Sequence, residues 1–131
     1  MMMINRILTD QDRELYAPTI KLMYEFVPEM TGNKIASALV QQAFVYETAL
    51  LFANEHSMFL SAGSYQDTAA ELLRFNGYAV YDVDPVINCD LHTFKNRVPD
   101  DTYDIIISTS VLEHTTNDEE FIADICHLLV P

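Results

Sequence analysis

Tyr103-Asp104-Ile105-Ile106-Ile107-Ser108-Thr109-Ser110-Val111-Leu112-Glu113-His114 is the stretch on which the reading of the fold turns. Its first part, Asp104 to Ser108, is a continuous apolar run with no polar alternation. β-Branched side chains pack well on a pleated surface. A run without alternation suits a strand covered on both faces, as the strands of parallel sheets are. Parallel strands need long crossovers, so helical patterns are expected on both sides of this run.

Both neighbours carry them. Downstream, a polar turn leads to Asn117, where Glu120 can complete a capping box. Phe121, Ile122, Ile125, Leu128 and Leu129 then share one face of an expected helix. Upstream, Met58-Phe59-Leu60 reads as a short strand entering the tight turn Ser61-Ala62-Gly63-Ser64. Ser64 and Asp67, three apart, make a capping-box-like start to a helix over Thr68-Ala69-Ala70-Glu71-Leu72-Leu73, and Asn76-Gly77 closes it with a left-handed cap. Tyr78 to Val83 is a second strand, ended at Asp84-Pro85 because proline cannot donate to a ladder. Ile87 to Leu91 is a candidate further short strand, which would make the isoleucine run the fourth.

Before residue 57 the pattern is helical. Ile35, Leu39, Ala43, Tyr46 and Leu50 recur at helical steps between Lys34 and Asn54. Residues 10–30 look helical but are interrupted by Pro18 and Pro28, and Thr31-Gly32-Asn33 reads as a turn. The expected organisation is an N-terminal helical segment, 1–56, packed on a cofactor-binding-type α/β unit, 57–131.

The chain has 131 residues and is half apolar, enough for a buried core. Twenty acidic against seven basic residues give a net charge of -13, of which -10 falls after residue 56. That balance speaks against partners bound by neutralising phosphates and against anionic membranes. No apolar run approaches the roughly 20 residues needed to span a bilayer. The opening Met1-Met2-Met3-Ile4-Asn5-Arg6 lacks a signal core. Cys89 and Cys126 form no CxxC, so neither zinc site nor disulfide framework is indicated and a reducing cytoplasm fits. His56, His92 and His127 share no metal-ligand spacing, so they read as surface or packing residues and no metal is expected.

In open α/β sheets, ligands bind beyond the carboxyl ends of the strands. Ser61 to Tyr65, Asp84-Pro85, Asp90-Leu91 and Ser108 to His114 are therefore the residues to inspect. Gly63 lets a backbone approach a ligand, and the helix after it offers free N–H groups to an anion. Asp84 lies 21 residues beyond Gly63, a spacing at which an acid can accept from ribose hydroxyls.

The quoted stretch, followed by a polar turn, Phe121-Ile122 and Leu128-Leu129-Val130-Pro131, resembles the corresponding segment of class I S-adenosylmethionine-dependent methyltransferases of the type 11-like kind. There an aromatic-Asp pair opens an apolar strand that runs into Val-Leu-Glu-His and a helix ending Leu-Leu-x-Pro. The resemblance covers roughly residues 57 to 131. It implies a three-layer Rossmann-like sandwich with a mainly parallel sheet, incomplete at its C-terminal end and preceded by N-terminal helices. It implies S-adenosyl-L-methionine as cofactor, with Ala62, Gly63 and Ser64 near its methionyl part. Asp84 and Pro85 would hold the ribose, Asp90 and Leu91 the adenine, and Ser108 and Thr109 the methyl-transfer end. The activity implied is methyl transfer to a small-molecule or glycan acceptor, with His114 or Glu113 as candidate base. The first motif departs from the family's acidic-x-Gly-x-Gly-x-Gly: Ser61 stands in the acidic place and Tyr65 at the second glycine.

Two other classes remain open. A nicotinamide-dinucleotide oxidoreductase shares strand-helix-strand-acid but would need the G-x-G-x-x-G turn that is absent here. A non-catalytic or truncated methyltransferase-like domain acting as an interaction module fits the lost glycines.

Overall fold

A computed structural model describes residues 6–131; the opening segment read for a signal core lies, apart from Arg6, outside the described residues. The chain is α/β. Three strands, β1 (Met58–Ala62), β2 (Ala79–Val83) and β3 (Ile105–Ile107), form a parallel sheet in the order β2-β1-β3. Leu60 stands opposite Tyr81 on one side and Ile106 on the other. The helices are α1 (Asp12–Phe26), α2 (Pro28–Gly32), α3 (Ala36–Phe52), α4 (Thr68–Phe75), α5 (Leu91–Lys95) and α6 (Asp118–Leu128).

Alternation along β1 divides the core in two. Phe59 packs with Tyr16 and Met23 of α1, Ala43 and Tyr46 of α3, and Leu72 of α4. Leu60 and Ala62 belong to a second cluster with Val83, Leu91, Tyr103 and Leu128, flanked by Phe121 and Ile125. The isoleucine run splits likewise, Ile105 and Ile107 to the first cluster and Ile106 to the second. A strand with a packed cluster on each face needs no polar alternation, which accounts for its composition. Phe59, Met23, Leu60 and Leu72 are fully buried, each contributing about 1.5–3 kcal/mol by leaving water. Among the described residues, no helix is long and apolar enough to cross a membrane.

The expected strand over Ile87 to Leu91 does not form. The Asp84 carboxylate accepts the Val86 N–H at 2.7 Å, and the Asp84 carbonyl accepts from the N–H groups of Ile87 and Asn88. Asn88 folds back onto the Asp84 N–H and the Asp82 carbonyl. Local turn chemistry from Asp84, Pro85 and Asn88 thus overrides the β-propensity of Val86 and Ile87, which stay exposed. Asp90 then caps α5, and the isoleucine run is the third strand, not the fourth.

Smaller corrections follow the same logic. Asp67, not Ser64, caps α4, its carboxylate accepting the Ala70 N–H. Pro28 starts α2 as its first residue, and α2 runs through Thr31 and Gly32, where a turn was expected. Ile35 precedes α3 and is exposed, whereas Leu39, Ala43 and Tyr46 are buried as their spacing requires. Asn117 caps α6 through the Glu120 N–H, but Ile122 is half exposed, and Leu129 has left the helix to form an isolated parallel bridge with Tyr103. Gly77 does close α4 with a left-handed cap, at φ +93°.

Candidate functional site

A cleft of about 600 Å³ opens where β1, β2 and β3 end, continuing between α5 and α6. Its size lies in the range of small-molecule sites. Gly63 forms the floor at φ +80°, a conformation only glycine adopts cheaply. A Cβ at this position would also collide with the two methyls of Val111, which arrives from the β3 exit. Two turns that line the cleft therefore touch each other through the missing side chain.

The amides of this turn are already used. Gly63 and Ser64 both donate to the Val83 carbonyl, and Tyr65 donates to Asp84 Oδ2 at 3.2 Å. At the start of α4, Ala69 donates to Gln42 Oε1 and Ala70 to Asp67. The expected set of free helix-terminal N–H groups is thus corrected: side chains of α3 and of the cap occupy those at Ala69 and Ala70. Burial pushes the Asp67 carboxyl above its ordinary value, although Ser61 Oγ donates to it at 2.9 Å.

Asp84 is buried at the end of β2. Its Oδ1 takes the Val86 N–H and its Oδ2 the Tyr65 N–H, and a carboxylate oxygen has a second lone pair to offer. Asp90 accepts from the Thr93 N–H and hydroxyl, which hold its carboxyl below the usual range. Leu91 beside it is buried and apolar.

At the β3 exit, Thr109 lines the cleft with a buried hydroxyl that has no hydrogen-bond partner among the described residues. Ser110 takes φ +57° and its hydroxyl meets Gln41 Oε1 at 2.9 Å. Gln66, at φ +56°, has its carbonyl bound by Lys34 Nζ at 2.6 Å. The segment before β1 thus grips both loops. His114 sits on a single 3-10 turn, Leu112–His114, facing the cleft but largely exposed, with Glu113 Oε1 3.9 Å from its Nε2.

Of the residues expected from sequence, Gly63, Asp84, Pro85, Asp90, Leu91, Thr109 and His114 converge on the cleft. Ala62 is fully buried in the core, Ser64 is buried with an unpartnered hydroxyl, and Ser108 and Glu113 lie outside the lining. Sequence reasoning missed His92, Glu120 and Asp124. His92 Nδ1 lies 3.0 Å from Asp124 Oδ2 and 3.7 Å from Glu120 Oε1. The hydrogen bond to Asp124, then the charges of Glu120 and Asp124, raise the His92 pKa. The one available signal was the four-residue step from Glu120 to Asp124 on one helix face; its partner 28 residues earlier follows only from how α5 meets α6.

The lining carries Asp84, Asp90, Glu120 and Asp124, with no Lys or Arg among the described residues. Comparison with known families, with curated proteins and with solved structures finds no match to the chain.

Proposed function

We propose that the cleft binds S-adenosyl-L-methionine and that the chain is the cofactor-binding part of a class I methyltransferase. The observation that carries the reading is the convergence of Gly63, Asp84, Asp90, Leu91 and Thr109 on one cleft lined by carboxylates and no Lys or Arg among the described residues. An anionic cleft repels phosphates and attracts a cationic ligand such as a sulfonium. The engaged amides at Gly63, Ser64 and Tyr65 leave a pyrophosphate nothing to rest on there, which disfavours a dinucleotide. Helices α1, α3 and α4 against one cluster and α5 and α6 against the other are compatible with a three-layer Rossmann-like sandwich.

The residues present fit the cofactor. Asp84 keeps a free lone pair on each oxygen for the two ribose hydroxyls, Asp90 accepts from the adenine amino group, and Leu91 and Val83 give the ring an apolar wall. The orphaned Thr109 hydroxyl is available at the methyl-transfer end. When bound, the cofactor would supply a methyl on a sulfonium, passed in line to the acceptor's electron pair as the C–S bond breaks and its electrons leave with S-adenosylhomocysteine. The protein's tasks are to hold the reactants near contact and to keep water out. For a hydroxyl acceptor on a small molecule or glycan, His114 takes the proton released, with the charge of Glu113 3.9 Å from its Nε2. Two unpaired cysteines fit a reducing compartment, and the cytoplasm is the proposed location.

Isothermal titration with S-adenosylmethionine and S-adenosylhomocysteine tests the reading, with NAD as control. Both sulfur nucleosides should bind, and Asp84→Ala should weaken them at least tenfold, in keeping with about 1.5–3 kcal/mol for bonds to a charged acceptor. Unchanged affinity in a folded Asp84→Ala variant removes Asp84 from the ribose role. No binding to the unaltered chain favours the second reading, a non-catalytic interaction module, to which the absence of free amides at the glycine turn also points.

A further inference from the structure

At the far end of the cleft, α5 meets α6 through three side chains with metal-ligand chemistry: His92, Glu120 and Asp124. One ligand atom from each lies within 4.8 Å of the others. We infer that His92 Nδ1, Asp124 Oδ2 and Glu120 Oε1 form a three-ligand site for a divalent transition-metal ion of the zinc class.

Three observations support this. Metal–ligand bonds of about 2.0–2.2 Å set the ligand atoms of a tetrahedral site about 3.3–3.6 Å apart. The separations of 3.0 Å and 3.7 Å from His92 Nδ1 bracket that spacing. The Asp124 side chain is only 7% exposed, so its charge has largely left water and needs a cation beside it. Among the described residues, neither Glu120 nor Asp124 pairs with a Lys or Arg; both turn to the half-exposed His92. All three line the cleft, so a fourth position faces open space where a water or ligand can complete the shell. One imidazole with two carboxylates suits zinc better than calcium or magnesium, which favour all-oxygen shells. The ligands come from two helices, so occupancy would also tie α5 to α6. None of the three ligands is a residue assigned to the nucleoside; the two readings share only the cleft's negative charge, to which Glu120 and Asp124 contribute.

The test is titration of the metal-free whole chain with Zn²⁺ by calorimetry and with Co²⁺ by visible absorption, whose d–d bands report coordination geometry. One ion per chain with micromolar or tighter affinity and a tetrahedral Co²⁺ spectrum is expected. His92→Ala, an exposed position that leaves the core intact, should lower affinity at least tenfold, and Asp124→Asn likewise. His127→Ala, beside Asp100 and outside the cleft lining, should change nothing. Binding no tighter than millimolar, or binding that persists in folded His92→Ala, overturns the site and leaves His92 as the cation of an ordinary ion-pair clip.

Discussion

Gly63 carries two constraints at once, a left-handed backbone and the methyls of Val111 pressed where a Cβ would be. Left-handed φ costs an L-residue about 1–2 kcal/mol. Gly63→Ala should therefore lower the unfolding free energy by at least that much, read as a lower urea midpoint at unchanged slope, and adding Val111→Ala should recover only the steric part. A Gly63→Ala protein that melts like the parent would refute the cradle. A second residue-scale effect is pH-dependent. Arg6 binds Asp12 through both nitrogens, and this, with the Thr9 N–H, holds the carboxyl down to about 2 from an ordinary 3.8. A depressed carboxylate contributes stability fully above its unfolded value and loses it as pH falls toward the folded one. Arg6→Gln should thus lose that stability in full at neutral pH, and its difference from the parent, measured by urea melts followed by circular dichroism, should shrink as pH falls from about 4 to 2. Gly63 and Asp84 were legible as cleft residues because each directly follows a strand, where an open α/β sheet places its crevice. Asp12 was not, because an N–H three residues back and an arginine six back look like any polar surface.

Among elements, α3 does more than cover the sheet. Gln42 reaches the buried Ala69 N–H at 2.8 Å and so completes the start of α4, while Gln41 and Lys34 hold the loops after β3 and β1. Gln42→Ala leaves a buried donor unpaired, which costs about 1–3 kcal/mol. Thermal melts should show that loss, and Gln42→Glu, which keeps an acceptor, should show less of it; equal losses would assign the effect to packing instead. Helices α3, α4 and α6 and the three strands were readable because periods of 3.6 and 2 and uninterrupted apolar runs report burial directly, whereas the short α5 was not. The segment after Asp84 was misread because Val86 and Ile87 advertise a strand, while the side chains of Asp84 and Asn88 capture the backbone first. Gln42 gave no warning either: a polar residue inside a helical stripe reveals its partner only once the fold brings residue 69 to it.

For the whole molecule, β1 is the strand with a neighbour on each side, and Phe59 and Leu60 are fully buried. Their amides should exchange most slowly in hydrogen–deuterium measurements, ahead of those in β2, whose outward Tyr81 is about half exposed. Charge sets a second global property. With -13 in 131 residues, self-repulsion opposes compactness, so added salt should raise the melting temperature up to roughly physiological strength. A melting point that falls with sodium chloride would mean that specific ion pairs outweigh the net field. The parallel bridge between Leu129 and Tyr103, with the Val130 N–H donating to the Tyr103 carbonyl at 2.9 Å, fixes the direction in which the chain leaves α6. That tether makes the end of α6 a seam closed by backbone pairing and not by side chains alone.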